Sequence, residues 1–389
     1  MVGMTGKPVR TRRSPLWAKV SLGLGLVLMV SGGLGVVGTR LFGAVAFHSV
    51  RQETLLGGAG QQAEQRGHVE ITGAKTILLV GIDSRPDQRT SDLVRSDSII
   101  VAHIPATHDG MYLVSIPRDT YVTIPAFNNG VKRHAAGGDR INAAYAYGGD
   151  GLTGKAARAK AVELLALTIK KAYGITFDGA AIVDFNGFRN AVEALGGVWM
   201  NVDQETTSVH IGFTKDGTVK VPFRQVPQAN GSTKLIPIAG VTPQRYHVGP
   251  QHLDPHQALD YVRQRELLPN SDYDRQRHQQ QFIKAIIKQT ASRETLTNPV
   301  KLAKVVDALG SAMTIDSGGI DLTDWVYAMK GIGAEQITTL KTNNGTFRAS
   351  TESSGAEALD QNTLTLLAAV RDDTVATFVA AHLDLVTQS

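Results

Sequence analysis

Cysteine is absent from all 389 residues, which removes disulfide frameworks, thiolate metal sites and thiol nucleophiles together. Acid is absent from one end: residues 1 to 40 carry six Lys/Arg (Lys7, Arg10, Arg12, Arg13, Lys19 and Arg40) and no Asp or Glu. Setting those six aside leaves 34 basic against 35 acidic residues, so the net charge of +5 belongs to the leader and the rest is near neutral. A broad nucleic-acid footprint, which needs Lys/Arg clustered along the folded part, is excluded on that ground. No Walker loop, no H-E-x-x-H pair and no G-x-S-x-G elbow occurs, and no self-similar period marks a repeat architecture. His103, His134, His210, His247, His252 and His256 lack zinc spacing and read as packing or surface residues.

What is present begins with the uncharged run from Val20 to Thr39, flanked by Trp17 and Lys19. Its length suits one helical crossing of a bilayer better than the shorter apolar region of a cleaved signal. The basic leader then places residues 1–19 in the cytoplasm and everything after 39 outside, a single-pass protein of the cell membrane. Residues 40–72, with Gly57-Gly58-Ala-Gly-Gln-Gln62, read as an extracytoplasmic tether.

Short apolar runs at Thr76 to Asp83, Ser98 to Ile104 and Met111 to Ile116 predict strands, the first buried on both faces. Helices follow over Gly154 to Tyr173 and Phe185 to Leu195, the latter stopped by Gly196-Gly197, with strands at 179–184 and 198–202. The alternation predicts a layered α/β/α domain, a central mixed sheet flanked by helices and preceded by one transmembrane helix. Residues 205–245 read as a hairpin excursion. The body of the domain spans 73–292, and 293–389 closes the same domain with helical runs around a strand at Ile337 to Leu340.

Five charged clusters interrupt this pattern. Asp83, in Gly81-Ile-Asp83-Ser-Arg85, stands at a strand end, where ligands of α/β sheets gather, and Asp97, in Arg95-Ser-Asp97, opens the next strand. Two such carboxylates suit a hard cation such as Mg²⁺, or serve as turn caps and partners of Arg85 and Arg95. Arg118, in Ile116-Pro-Arg118-Asp119, follows a strand with proline-restricted backbone and could clamp a phosphate or form a structural ion pair. Asp254, Pro255 and Gln257 spell a helix start, and Arg263 and Arg265 address one ligand only if that helix ends near Val262 and the chain becomes extended. From Asp272 a further helix carries Arg275, Gln279, Phe282 and Ile286 on one stripe, whose apolar end must face the core. Arg275 is thereby turned inward, which is costly without an anion to meet it, whereas Arg277, His278 and Gln280 are expected on a solvated face.

In order and content these clusters resemble the LytR-CpsA-Psr family of cell-wall glycopolymer transferases. The matching stretches are Leu79-Val-Gly-Ile-Asp83-Ser-Arg85, Arg95-Ser-Asp97, Val114-Ser-Ile-Pro-Arg118-Asp119, Ile141-Asn142-Ala-Ala-Tyr145, Asp184-Phe-Asn-Gly-Phe188, Ala258-Leu-Asp-Tyr-Val-Arg263-Gln-Arg265 and Asp272-Tyr-Asp-Arg275, across residues 75–290. The resemblance implies transfer of a glycan-1-phosphate from a polyprenyl-pyrophosphate carrier to a hydroxyl of peptidoglycan or another wall polymer. It implies Mg²⁺, with Mn²⁺ as its substitute, on Asp83 and Asp97. It further implies a pyrophosphate held by Arg95, Arg118, Arg263, Arg265, Arg275 and Gln279, a base at Asp119 or Asp272, and a lipid tunnel beneath the sheet. Pro255, His256 and His278 depart from the family pattern without removing a charged ligand. A polyprenyl-pyrophosphate hydrolase and a non-enzymatic envelope regulator are the competing readings, and no nucleic-acid partner is expected.

Overall fold

The computed structural model describes residues 50–60, 70–82, 94–228, 233–292, 295, 298–329 and 331–387. The apolar run at 20–39 and Asp83 lie outside them. Among the described residues no helix is long and apolar enough to cross a membrane.

A seven-stranded mixed sheet organises the domain, in the spatial order Arg51–Gln52, Met313–Asp316, Gly179–Asp184, Lys75–Ile82, Ser96–Ile104, Met111–Ser115, Ile337–Leu340. The three strands from Lys75 to Ser115 run antiparallel as consecutive neighbours, while Gly179–Asp184 joins Lys75–Ile82 in parallel and Ile337–Leu340 joins Met111–Ser115 in parallel. Two of the seven strands therefore come from the tail beyond residue 292, which completes the sheet rather than forming a unit of its own.

Side chains alternate across a strand, so Leu78, Val80 and Ile82 point to one face and Ile77 and Leu79 to the other. The first set is fully buried, with Ile99, Val101 and Val114, under the helices Ile141–Gly149, Gly154–Tyr173 and Gln361–Arg371. The second set is only partly buried, beside Ile100, Ala102, Leu113, Ile283 and Ile287. The expected strand buried on both faces is thus corrected: the aliphatic run continues across a face that the Asp272–Thr290 helix covers incompletely.

The expected tether also folds earlier than its composition suggests. Arg51–Gln52 pairs with Met313–Asp316, and the Leu55 and Leu56 amides donate to Asp316 Oδ2 at 2.6 and 2.9 Å. Leu55 and Leu56 join the main core, so 51–59 belongs to the domain. Leu55→Ala is expected to cost about 2–4 kcal/mol in chemical denaturation. A residue in a free tether gives no change.

A smaller layer flanks the sheet. Val198–Val202 pairs antiparallel with Gly249–Leu253 and packs with Val192, Ala258, Tyr261 and Phe282. Asp254 caps the Pro255–Tyr261 helix with a full capping box to Gln257, as the local sequence dictates. That helix ends at Tyr261 with Val262 as its cap, the end that joint use of Arg263 and Arg265 requires, and the chain turns at Arg263, whose N–H donates to Asp260 O, before running on irregularly through Arg265.

Candidate active site: an arginine and carboxylate cluster at one sheet end

Antiparallel pairing brings the start of Ser96–Ile104 beside the end of Met111–Ser115, with Ile100 opposite Ser115. Asp97 and Arg118 consequently meet although 21 residues apart, Arg118 Nη1 donating to Asp97 Oδ1 at 2.5 Å. The segment carrying Arg118 is fixed by its backbone: Asn142 N–H donates to Arg118 O, Glu357 N–H to Asp119 O and Ile141 N–H to Thr120 O. Here the N-terminus of the Asp272–Thr290 helix arrives, and Arg275 Nη2 donates to the Asp97 carbonyl at 2.7 Å.

Five side chains form one connected group. Asp272 Oδ1 lies 2.7 Å from Arg275 Nη2 and 3.7 Å from Arg118 Nε, and Asp119 Oδ2 is 3.6 Å from Arg118 Nε. The Asp272 and Arg275 contact is close but out of line for a hydrogen bond, so Asp272 Oδ1, Arg118 Nε and Arg275 Nε are all buried without a hydrogen-bond partner. Burial lowers the Arg275 pKa, with Asp272 opposing it. At Arg118 burial is outweighed by Asp272, Asp97 and Asp119, which hold the guanidinium above its ordinary value. Two cations thus stand together among three carboxylates, each with an Nε donor that no hydrogen bond satisfies, and a helix N-terminus adds its own positive end.

Other expected residues stand at varied distances from this centre. Gln279 is buried one turn along from Arg275, donates to Val262 O at 3.5 Å and leaves its Oε1 without a partner. Arg265 is partly exposed beside Glu266, 3.1 Å away, and its charge is felt at Arg275. Arg263 is half-buried. Arg95 is exposed and acts electrostatically on Tyr147, whose hydroxyl donates to Asp139. Asp97 supplies the kind of oxygen a hard cation takes, and its side chain is 24 % exposed. No group of three or more metal-ligating side chains occurs among the described residues.

Three residues near the site escaped the sequence reading. Arg140 reaches Asp119 at 3.4 Å, and its place just ahead of Ile141-Asn142 was the available signal. Glu357, in the tail, accepts from the Tyr273 hydroxyl and from Asn343 Nδ2 at 3.0 Å, bracing the helix beside Asp272. Nothing local marks it. Burial raises the Glu357 pKa, with Tyr273 and Asn343 opposing. A raised acid contributes stability below its unfolded pKa and loses it as pH rises through the folded one. Glu357→Gln is therefore expected to leave stability at neutral pH unchanged or slightly higher and to flatten its fall between weakly acidic and neutral pH, measured by urea midpoints across that range.

Asp203 is the third. Its Oδ2 accepts from Arg277 Nε at 2.5 Å and from Gln281 Nε2 at 2.9 Å. The solvated face expected at Arg277, His278 and Gln280 is thereby corrected. His278 is fully buried, stacked on Tyr261 at 4.2 Å between ring centroids, and Gln280 donates to Ser115 Oγ at 2.9 Å. The helix is covered on both sides, by residues near Asp203 and by those near Leu340.

The sequence profile of the LytR_cpsA_psr family matches residues 48–368. The chain is 28% identical over 310 residues to the polyisoprenyl-teichoic acid–peptidoglycan teichoic acid transferase TagU of Oceanobacillus iheyensis, covering 79% of this chain and 78% of that protein. It is 30% identical over 322 residues to the cell wall biosynthesis protein LcpA of Corynebacterium glutamicum, covering 75% of this chain but 53% of LcpA, about half its length. Among solved structures, protein gbs0355 of Streptococcus agalactiae superposes with a TM-score of 0.51 at 19% identity, over 78% of this chain and 88% of that one, a likeness of fold. With the profile matched across most of its length, the chain belongs to the LytR-CpsA-Psr family.

Proposed function

We propose that this protein is a membrane-anchored phosphotransferase that moves a glycan-1-phosphate from a polyprenyl-pyrophosphate carrier to a hydroxyl of peptidoglycan or another wall polymer. The observation that carries the reading is the pair of guanidiniums of Arg275, buried, and Arg118, half-buried, whose buried Nε donors have no hydrogen-bond partner although three carboxylates surround them. Buried donors left unsatisfied are costly, and a pyrophosphate supplies acceptor oxygens of the right charge and geometry. The names of the relatives, a teichoic acid transferase and a cell wall biosynthesis protein, support the same class of substrate.

In the proposed reaction the acceptor hydroxyl attacks the phosphorus that bears the glycan, in line with the bond to polyprenyl phosphate, which leaves with the bonding electron pair. Arg118 and Arg275 stabilise the charge developing on the phosphoryl oxygens, the dominant requirement in such transfers. Arg263, Arg265, Arg95 and Gln279 extend the contact along the pyrophosphate and first sugar. Asp272 and Asp119 are the carboxylates positioned to take the hydroxyl proton. Asp97, with Asp83, would hold Mg²⁺, which supplies further neutralisation of the phosphate oxygens. The partly buried aliphatic face formed by Ile77, Leu79, Ile283 and Ile287 suits the polyprenyl tail. The run at 20–39 would keep the site at the surface of the membrane in which that donor resides.

Incubating the purified chain with a polyprenyl-pyrophosphate-linked glycan and peptidoglycan tests the reading. Polyprenyl phosphate should appear in step with peptidoglycan-bound glycan. Free glycan phosphate without attachment would mean that water is the acceptor and the protein a hydrolase.

A further inference from the structure

Between Gly217 and Leu253 the sequence contains no acid, but it contains Lys220, Arg224, Lys234 and Arg245. This stretch builds most of an arm made of two small sheets. Thr206–Thr214 pairs with Val219–Lys220 and with Val241–Tyr246, and Phe223–Pro227 pairs with Thr233–Pro237. A two-stranded ribbon cannot bury its own side chains, and this arm leaves large apolar groups in solvent. Phe213, Val219, Val221 and Ile238 are 36, 63, 54 and 41 % exposed.

These residues share a region of the arm. Phe213 and Val219 are register partners, so their side chains leave the sheet on the same side. The Ile238 amide donates to Pro222 O at 2.8 Å, which brings Ile238 beside the residue following Val221. On the ribbon, Arg224 opposes Ile236 and Val226 opposes Lys234, so one face carries two apolar and two basic side chains. None of the four basic residues has an ion-pair partner among the described residues.

We propose that this arm docks on an anionic bilayer surface, its apolar side chains at the acyl boundary and its lysines and arginines on lipid phosphates. Both halves of the composition are needed for that choice. An anionic wall polymer satisfies the bases but leaves Val219 and Val221 in water, and an uncharged apolar partner leaves the bases unmatched. Basic residues interleaved with exposed apolar ones, with Asp216 in the Thr214 to Thr218 turn as the single acid beside them and offset by Lys215, are what an interfacial segment requires. The docking stands independently of the chemistry proposed for Arg118 and Arg275, so the failure of either leaves the other intact.

Because the chain has no cysteine, a single reporter can be placed without background. The full chain carrying Val221→Cys, labelled with a polarity-sensitive fluorophore, is reconstituted into vesicles of equal parts phosphatidylglycerol and phosphatidylcholine bearing nitroxide lipid. A Thr351→Cys label on an exposed part of the tail serves as reference. The Val221 label should shift to the blue and be quenched more than the Thr351 label, and the excess should disappear on phosphatidylcholine alone. Changing Lys220, Arg224, Lys234 and Arg245 to glutamine one after another should lower docking roughly fivefold at each step. Equal quenching of the two labels on anionic vesicles overturns the proposal. So does the same blue shift produced by soluble polyphosphate without vesicles, which would make the arm a polymer-binding element.

Discussion

Arg118→Ala is expected to lower the transfer rate by about 10²- to 10³-fold, the loss typical when one preorganised donor to a developing anion is removed. Arg118 touches Asp97, Asp119 and Asp272 at once and holds a buried, unpartnered Nε, so its removal takes away charge stabilisation and frees three carboxylates to repel one another. Arg118→Lys should recover little, because a single ammonium cannot reproduce the planar fork. With the donor held by the aliphatic face and the outer arginines as proposed, the loss should fall on kcat more than on KM. A fall in KM-dependent binding with kcat preserved would assign Arg118 to docking alone. Arg275→Ala should show a similar loss in rate together with lower stability, as it leaves Asp272 with less compensation in a buried place.

The second large effect concerns stability. Asp203 joins the end of the Val198–Val202 strand to Arg277 and Gln281 on the helix that carries Arg275, and Arg277 Nη1 continues to the fully buried Asp274 at 2.6 Å. Asp203→Ala should cost about 2–4 kcal/mol in a urea titration, because it leaves a largely buried guanidinium with one partner fewer. Burial would push the Asp203 carboxyl up, but His278 and Arg277 together hold it well below the usual carboxylate range. A depressed carboxylate stabilises the fold above its unfolded pKa, near 4, and that contribution is lost as pH falls through the folded value. Asp203→Asn should therefore lower stability at neutral pH and weaken the acid-induced loss. An unchanged acid limb would show that Asp203 carries none of it.

The fold was legible where local rules decide it. Asp254, Pro255 and Gln257 announced a helix start, and Gly196-Gly197 a helix end, because caps and breakers act within one turn. The stripe of Arg275, Gln279 and Phe282 turned inward as its spacing required, and the pairing of Asp272 with Arg275 followed from one helical turn. What stayed hidden depends on segments distant in sequence. The strand Met313–Asp316 has four residues, too few for a period, and exists through its pairing with Gly179–Asp184 and Arg51–Gln52. His278 looked solvated because one helix cannot report that Tyr261 will cover its far side. Glu357 lies 84 residues beyond the tyrosine it braces. Its carboxylate was invisible for the same reason.

A crystal structure of the chain with a short-chain polyprenyl pyrophosphate would show where the donor binds. Phosphate density is expected between Arg118 and Arg275, with both Nε atoms within hydrogen-bonding distance of phosphate oxygens and the lipid tail along Ile77, Leu79 and Ile283. Phosphate bound elsewhere, with Arg118 and Arg275 still closed on Asp97 and Asp272, would contradict that placement.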